Sequence, residues 1–197
     1  MALAALAAAL LVTVAPAVLP ATAEAATTGR VCLFLDEQGA NPLDQSKGFG
    51  HTAWAIRDPK SPDHWIWGAT EGFQNKFQIN AGYYNGSWIE GGTWRQLRGE
   101  DPTSKKRKID LIRYDSYRCV NTASGDLGAA QRTFNNMKAN GYNGLYNNCL
   151  TKALAIFRMY SPALSSAHMP DGYATAPRYY FYSTLNGARG WEKPRQY

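Results

Sequence analysis

The residue best suited to act as a nucleophile is Cys149, which opens an apolar helical pattern. Apolar side chains recur at helical spacing over residues 150–157, and Pro162 ends the pattern. Asn147 or Asn148 can cap the start of this helix. A thiol in the first turn faces the positive end of the helix dipole, which lowers its pKa and increases the reactive thiolate fraction. The pattern therefore predicts either a reactive thiolate or a small buried cysteine that only fills space.

A thiolate becomes a catalyst when a histidine can shuttle its proton, and the chain has three histidines. His51 lies in a predicted strand behind two glycines that keep its surroundings open. His64 begins a strand and is expected to be exposed. It remains an alternative candidate for the third catalytic role, that of the residue that orients the catalytic histidine. His168 lies in a loop that follows the cysteine helix too closely. His51 is therefore the preferred base; the alternative is a partly buried histidine bonded to backbone.

The strand that contains His51 is predicted to pair with the next strand along the chain. Residues 48–56 and 64–70 are rich in β-forming residues, and turn-forming residues separate them, which indicates a hairpin. A turn centred between them places His51 opposite Thr70, within one residue. Thr70 or Glu71 can then accept a hydrogen bond from the second ring nitrogen and hold the imidazole, as in a catalytic triad.

The other two cysteines, Cys32 and Cys119, lie at the edges of predicted strands. Three cysteines are an odd number, so one disulfide leaves one thiol free. We predict a Cys32–Cys119 disulfide and a free Cys149. Such a bridge would stabilise the fold by roughly 4 kcal/mol, by restricting the unfolded chain. The alternative is three reduced thiols.

The first residues resemble an export signal. A run of Ala, Leu and Val from position 2 to 19 precedes the small-x-small site Ala23-Glu24-Ala25. We therefore predict that residues 1–25 are a signal peptide, cleaved near Ala25, and that residues 26–197 form one secreted domain. Prolines interrupt the apolar run and it is short for a membrane span, so stable membrane insertion is not expected.

The formal net charge is +6, and the run Lys105-Lys106-Arg107-Lys108 supplies much of it. Basic runs bind nucleic acids or anionic polymers, but most are solvated loops. No phosphate-binding loop, Cys/His metal spacing or nucleic-acid motif accompanies this one. We therefore expect no nucleic-acid partner, no metal and no cofactor, whereas an anionic cell-wall polymer would suit an exported basic protein.

The remaining pattern mixes strands with helices. Further strands are predicted at 30–35, 94–97 and 109–114, further helices at 124–140 and 176–185, and an irregular aromatic loop at 74–92. The fold class is therefore α+β, with a small antiparallel sheet packed against two or three helices that include the cysteine helix. Six aromatic residues are candidates to line a groove for peptide or glycan: Trp65, Trp67, Tyr83, Tyr84, Trp88 and Trp94.

Two short motifs occur in an order that resembles a known superfamily. Gly50-His51-Thr52-Ala53-Trp54 precedes a hairpin strand, and Tyr146-Asn147-Asn148-Cys149 follows later. Together they resemble the circularly permuted papain-like proteins of the NlpC type, which include lecithin retinol acyltransferase; the resemblance spans roughly residues 31–185. It implies a permuted papain-like fold with Cys149 as nucleophile and His51 as base. The third polar residue of that family has no clear match here.

The resemblance and the residues together predict a secreted cysteine-dependent acyl-transfer enzyme. We expect an amidase or peptidase-type hydrolase, or else an acyltransferase, acting as a monomer on a peptide, peptidoglycan or another acyl substrate. One alternative is a non-catalytic exported module that binds carbohydrate or protein. Another is a papain-like toxin effector.

Overall fold

The computed structural model describes residues 28–39, 48–72, 77–103 and 114–197. The predicted signal peptide, the basic run at 105–108 and nearly all of the predicted strand at 109–114 lie outside these residues. Within the described part of the chain, no helix has the length and apolar character needed to cross a bilayer.

Eight strands and four short or medium helices follow one another along the described chain. They are β1 (Gly29–Asp36), β2 (His51–Asp58), β3 (Ser61–Thr70), β4 (Gln78–Ile79), β5 (Ser87–Thr93), α1 (Trp94–Leu97), β6 (Ser116–Thr122), α2 (Leu127–Met137), β7 (Tyr142–Asn143), α3 (Cys149–Tyr160), α4 (Pro177–Tyr179) and β8 (Arg195–Gln196). A π-helical turn, Tyr180–Thr184, continues α4. The chain is α+β, as predicted.

Six strands form one antiparallel sheet in the order β5-β3-β2-β1-β6-β8. The β2–β3 hairpin pairs Ala53 with Ala69. Continuing this register by two residues places His51 opposite Glu71, which agrees with the predicted position to within one residue. β4 and β7 form a separate two-stranded ribbon.

The helices α2 and α3 pack on one face of the sheet and bury the main core. Trp54, Ile56, Phe134 and Leu154 belong to this core, which contains almost no exposed apolar surface. Most of the stability of α3 comes from this burial, since an isolated helix of its length is marginal in water. The opposite face of the sheet carries a second, aromatic layer built around Phe34, in line with the alternation of side chains along a strand.

A disulfide joins Cys32 to Cys119, as predicted, and Cys149 is a free, buried thiol. The two bridged residues lie directly opposite each other on β1 and β6. The bridge is therefore possible because the sheet brings together two residues that are 87 positions apart.

Two local predictions were wrong. Residues 94–97 form helix α1 rather than a strand, because Thr93 and Gln96 make a reciprocal capping box that starts a helical turn. The segment 74–92 is not wholly irregular, because its second half becomes β5 along the outer edge of β3. Strand pairing here outweighs the glycine content, which disfavours strands locally.

Candidate active site

Cys149 is the first residue of α3, as the sequence predicted. The Asn148 side chain accepts a hydrogen bond from the Thr151 N–H (3.0 Å), and the Thr151 hydroxyl accepts one from the Asn148 N–H (2.9 Å). The Asn148 amide also donates to the Gly144 carbonyl (2.8 Å). This reciprocal cap fixes where the helix begins, and so places the thiol at the positive end of the helix.

His51, at the start of β2, lies beside the thiol of Cys149, although neither ring nitrogen makes an aligned hydrogen bond within the described residues. Burial by itself lowers the pKa of His51, but the neighbouring Cys149 and the Glu71 carboxylate together raise that pKa to about 10. Burial raises the pKa of the Cys149 thiol, but His51 holds it below its ordinary value. The proximity of the two side chains therefore favours the thiolate–imidazolium form of the pair over the neutral form.

Glu71, just beyond β3, contacts the far side of the imidazole. Its Oε2 lies 3.1 Å from His51 Nε2, an ion-pair contact that is not aligned as a good hydrogen bond. Its Oε1 accepts a hydrogen bond from the indole Nε1 of Trp88 (2.9 Å). Asp36, which lies opposite His51 on β1, accepts a hydrogen bond from the Gln38 N–H (3.1 Å). Glu71 is thus the carboxylate placed to orient His51, and Trp88 holds that carboxylate.

Two further residues lie close to Cys149. Thr52 helps to hold the pKa of the Cys149 thiol below its ordinary value, although its buried hydroxyl makes no aligned hydrogen bond within the described part of the chain. The Tyr142 hydroxyl also lies near Cys149, close enough for the charge of Cys149 to act on it. Burial and the negative charges of Cys149 and Glu71 raise the pKa of Tyr142 far above its ordinary value. Tyr142 therefore remains a protonated donor beside the sulfur.

A buried polar network holds Tyr142 in place. The Asn85 amide donates to the Met137 carbonyl (2.7 Å) and to the Gly141 carbonyl (2.9 Å). The Lys152 ammonium donates to the same Met137 carbonyl (3.3 Å), and burial lowers its pKa to about 8. These contacts join the end of α2 to α3, and the chain reaches Tyr142 from that junction.

The other candidates lie elsewhere. The Thr70 hydroxyl bonds to the Ser87 hydroxyl (2.8 Å) rather than to the imidazole, so Glu71 and not Thr70 contacts His51. His64 lies at the opposite end of β3, where its ring approaches Asp58 at 3.9 Å. His168 bonds to Ser165 in the loop after α3.

Sequence reasoning did not find Thr52 or Tyr142 as site residues, and it proposed Trp88 only as a residue that lines a groove. The contacts of Tyr142 and Trp88 in the site depend on the β7 ribbon and on the pairing of β5 with β3.

No cluster of three or more His, Cys, Asp or Glu side chains suited to a metal ion occurs among the described residues. The chain matches no protein-family model, no curated protein and no solved structure. The geometry and charge of the site are therefore the basis for assigning a function.

Proposed function

We propose that this protein is a secreted cysteine-dependent acyl-transfer enzyme with a permuted papain-like fold, most simply an amidase or peptidase-type hydrolase. The observation that supports this most directly is the proximity of Cys149, His51 and Glu71, in which the β2–β3 hairpin brings His51 and Glu71 to a cysteine that is distant in sequence. A buried cysteine that only fills space needs neither an imidazolium nor a carboxylate beside it.

In the proposed reaction, the Cys149 thiolate attacks the carbonyl carbon of an amide or ester and forms a carbon–sulfur bond. The Cys149 N–H and the Tyr142 hydroxyl are the donors available for the oxyanion. The His51 imidazolium protonates the leaving nitrogen or oxygen as its bond to the carbonyl carbon breaks. His51 then takes a proton from water, the resulting hydroxide attacks the thioester, and the thiolate is released.

Glu71 suits the orienting role because a carboxylate favours the charged imidazole more strongly than a neutral amide does. It keeps His51 protonated while Cys149 is a thiolate, so the reactive form is present before substrate binds. The substrate proposed from export and basic charge is a cell-wall peptide or a related acyl compound.

The first test is labelling of Cys149 with iodoacetamide across pH, read by mass spectrometry. We expect labelling well below the pH at which an ordinary thiol reacts, and a shift to higher pH in His51→Ala. His64→Ala is the matched control, because that ring lies at the other end of β3. Labelling only above about pH 8, unchanged in His51→Ala, would refute the thiolate–imidazolium pair.

The second test measures turnover of peptidoglycan fragments and of generic amide and thioester substrates. Cys149→Ala, Cys149→Ser and His51→Ala should each abolish turnover. Full biological activity in all three variants would instead support the non-catalytic binding module.

A further inference from the structure

Two exposed tyrosines near the start of α3 are not used by the proposed chemistry. They lie on a surface that we call the rim, made of residues 77–86, 140–148 and 172–177. The rings of Tyr146 and Tyr173 stack on each other, with centroids 4.8 Å apart and planes inclined by 24°. Tyr146 is 48% exposed and Tyr173 is 60% exposed. Tyr146 precedes Cys149 by three residues, so the pair lies near the start of α3. Contiguous apolar surface that stays exposed can mark a binding site.

The two segments that bear these rings are held rigidly. The Ala174 N–H donates to the Leu145 carbonyl (3.1 Å), which ties the segments together. Gly172 packs so closely on α3 that a Cβ there would lie 2.7 Å from Leu154 Cδ1. The Tyr146 N–H is bonded to the Asn143 side chain (3.1 Å). The pair is therefore preorganised, and a ligand that stacks on it would not have to order it first.

The charge of this rim differs from that of the rest of the chain. Charged residues make up 18% of the sequence, yet residues 77–86, 140–148 and 172–177 contain none and are rich in tyrosine and asparagine. The first two segments run side by side, joined by the β4–β7 pairing and by the Gly144 N–H, which donates to the Phe77 carbonyl (3.0 Å). The flanking charges already have partners: Asp171 accepts from the Tyr173 N–H (3.1 Å), and Arg178 pairs with Glu37 (3.3 Å).

We propose that Tyr146 and Tyr173 form a subsite for a neutral carbohydrate ring on the substrate of Cys149. The apolar C–H face of a sugar ring stacks on an outer face of the tyrosine pair, and its hydroxyls bond to the neutral amides and phenols of the rim. A peptide rich in charge, or an anionic headgroup, would find no opposite charge on these segments. This subsite adds a substrate class to the proposed function, and it rests on that function for the identity of the group that reacts with Cys149.

Binding is measured by calorimetry on the Cys149→Ser protein, so that no turnover interferes. The neutral probes are N-acetylated chitotetraose and cellotetraose; the charged comparisons are tetragalacturonate and the deacetylated, cationic chitosan tetramer. We expect binding of a neutral probe to exceed binding of both charged ones. Because the chain is basic overall, a preference for tetragalacturonate would indicate general electrostatic attraction and overturn the proposal.

The variants Tyr146→Ala and Tyr173→Ala should each weaken binding of the neutral probe by about tenfold, since one stacking ring is lost. The corresponding Phe variants keep the ring and should bind nearly as the parent does. Tyr179→Ala is the control, because Tyr179 is equally exposed but makes no part of the pair. Absence of binding to any neutral probe, or binding by both Ala variants as tight as that of the parent, would overturn the proposal.

A last measurement links the subsite to the nucleophile. In the wild-type protein, a saturating neutral tetrasaccharide should slow iodoacetamide labelling of Cys149. An unchanged labelling rate would show that the sugar binds away from the nucleophile, and so overturn the subsite. If acyl transfer fails while tyrosine-dependent binding and this protection persist, the proposed enzymatic function falls and the carbohydrate site stands.

Discussion

Replacement of Glu71 by glutamine tests the electrostatics of the site with the smallest change of shape. Glutamine keeps an acceptor oxygen near His51 but removes the negative charge that lies 3.1 Å from its Nε2. The imidazolium then loses a stabilising charge, so the pKa of His51 falls. A less fully protonated His51 stabilises the thiolate less well, so the pKa of Cys149 rises.

The size of the effect follows from the distance. Two unit charges 3.1 Å apart interact by about 5 kcal/mol at an effective dielectric constant of about 20. This is an upper limit, because the Glu71 side chain is 21% exposed and water screens it. A carboxylate next to a cation typically shifts a pKa by about 1 to 3 units. We therefore expect a fall of about 1 to 2 units for His51, and a rise of about 1 unit for Cys149.

The assay is the pH dependence of Cys149 alkylation, with rates measured from about pH 4 to 10. The midpoint in Glu71→Gln should lie about one pH unit above that of the wild type. Glu100→Gln is the matched control, since Glu100 forms an ion pair of similar length with Arg98 (3.0 Å) at the surface. A midpoint in Glu71→Gln that coincides with the wild type, or one that moves equally in Glu100→Gln, would refute this account.

Three further predictions concern single contacts. Trp88→Phe removes the donor that holds the orienting carboxylate and should raise the pH midpoint of Cys149 alkylation by up to about one unit. The control is Trp67→Phe, which should leave this midpoint unchanged, because the buried Nε1 of Trp67 has no hydrogen-bond partner among the described residues. Tyr142→Phe removes a candidate oxyanion donor and should lower kcat by roughly a hundredfold, with unchanged thermal unfolding; full activity would exclude that role. Replacing Cys32 and Cys119 together by alanine should cost about 4 kcal/mol of unfolding free energy, or about 10 °C in Tm by calorimetry; an unaltered Tm would show that the bridge does not restrict the unfolded chain.

The start of α3 was predictable because its determinants are local. An asparagine N-cap, an apolar helical repeat and a terminating proline all lie within about one helix length of Cys149, and the structure has the helix where they place it. The β2–β3 hairpin was predictable to within one residue for the same reason, since a short turn sets its register. Local signals failed at residues 94–97, where a capping box outweighed the aromatic, strand-like composition.

The choice of Glu71 over Thr70 required the tertiary structure. Adjacent residues at the end of a strand point to opposite sides, and only the position of Ser87 on β5 shows that the Thr70 hydroxyl is already bonded. The contact of Trp88 with Glu71 and the position of Tyr142 were likewise undetectable, because both depend on strand pairings.

The sequence alone therefore determined the types of reactive groups, the helix that presents the thiol and the odd cysteine left outside the disulfide. Each of these depends on the identity and spacing of residues close together in the chain. The sequence also favoured His51 over the other two histidines, whereas only the tertiary structure decided which residue contacts the imidazole and which tyrosines lie on the rim. Those contacts depend on how a six-stranded sheet and two helices pack, and such long-range packing leaves no signal in any short stretch of sequence.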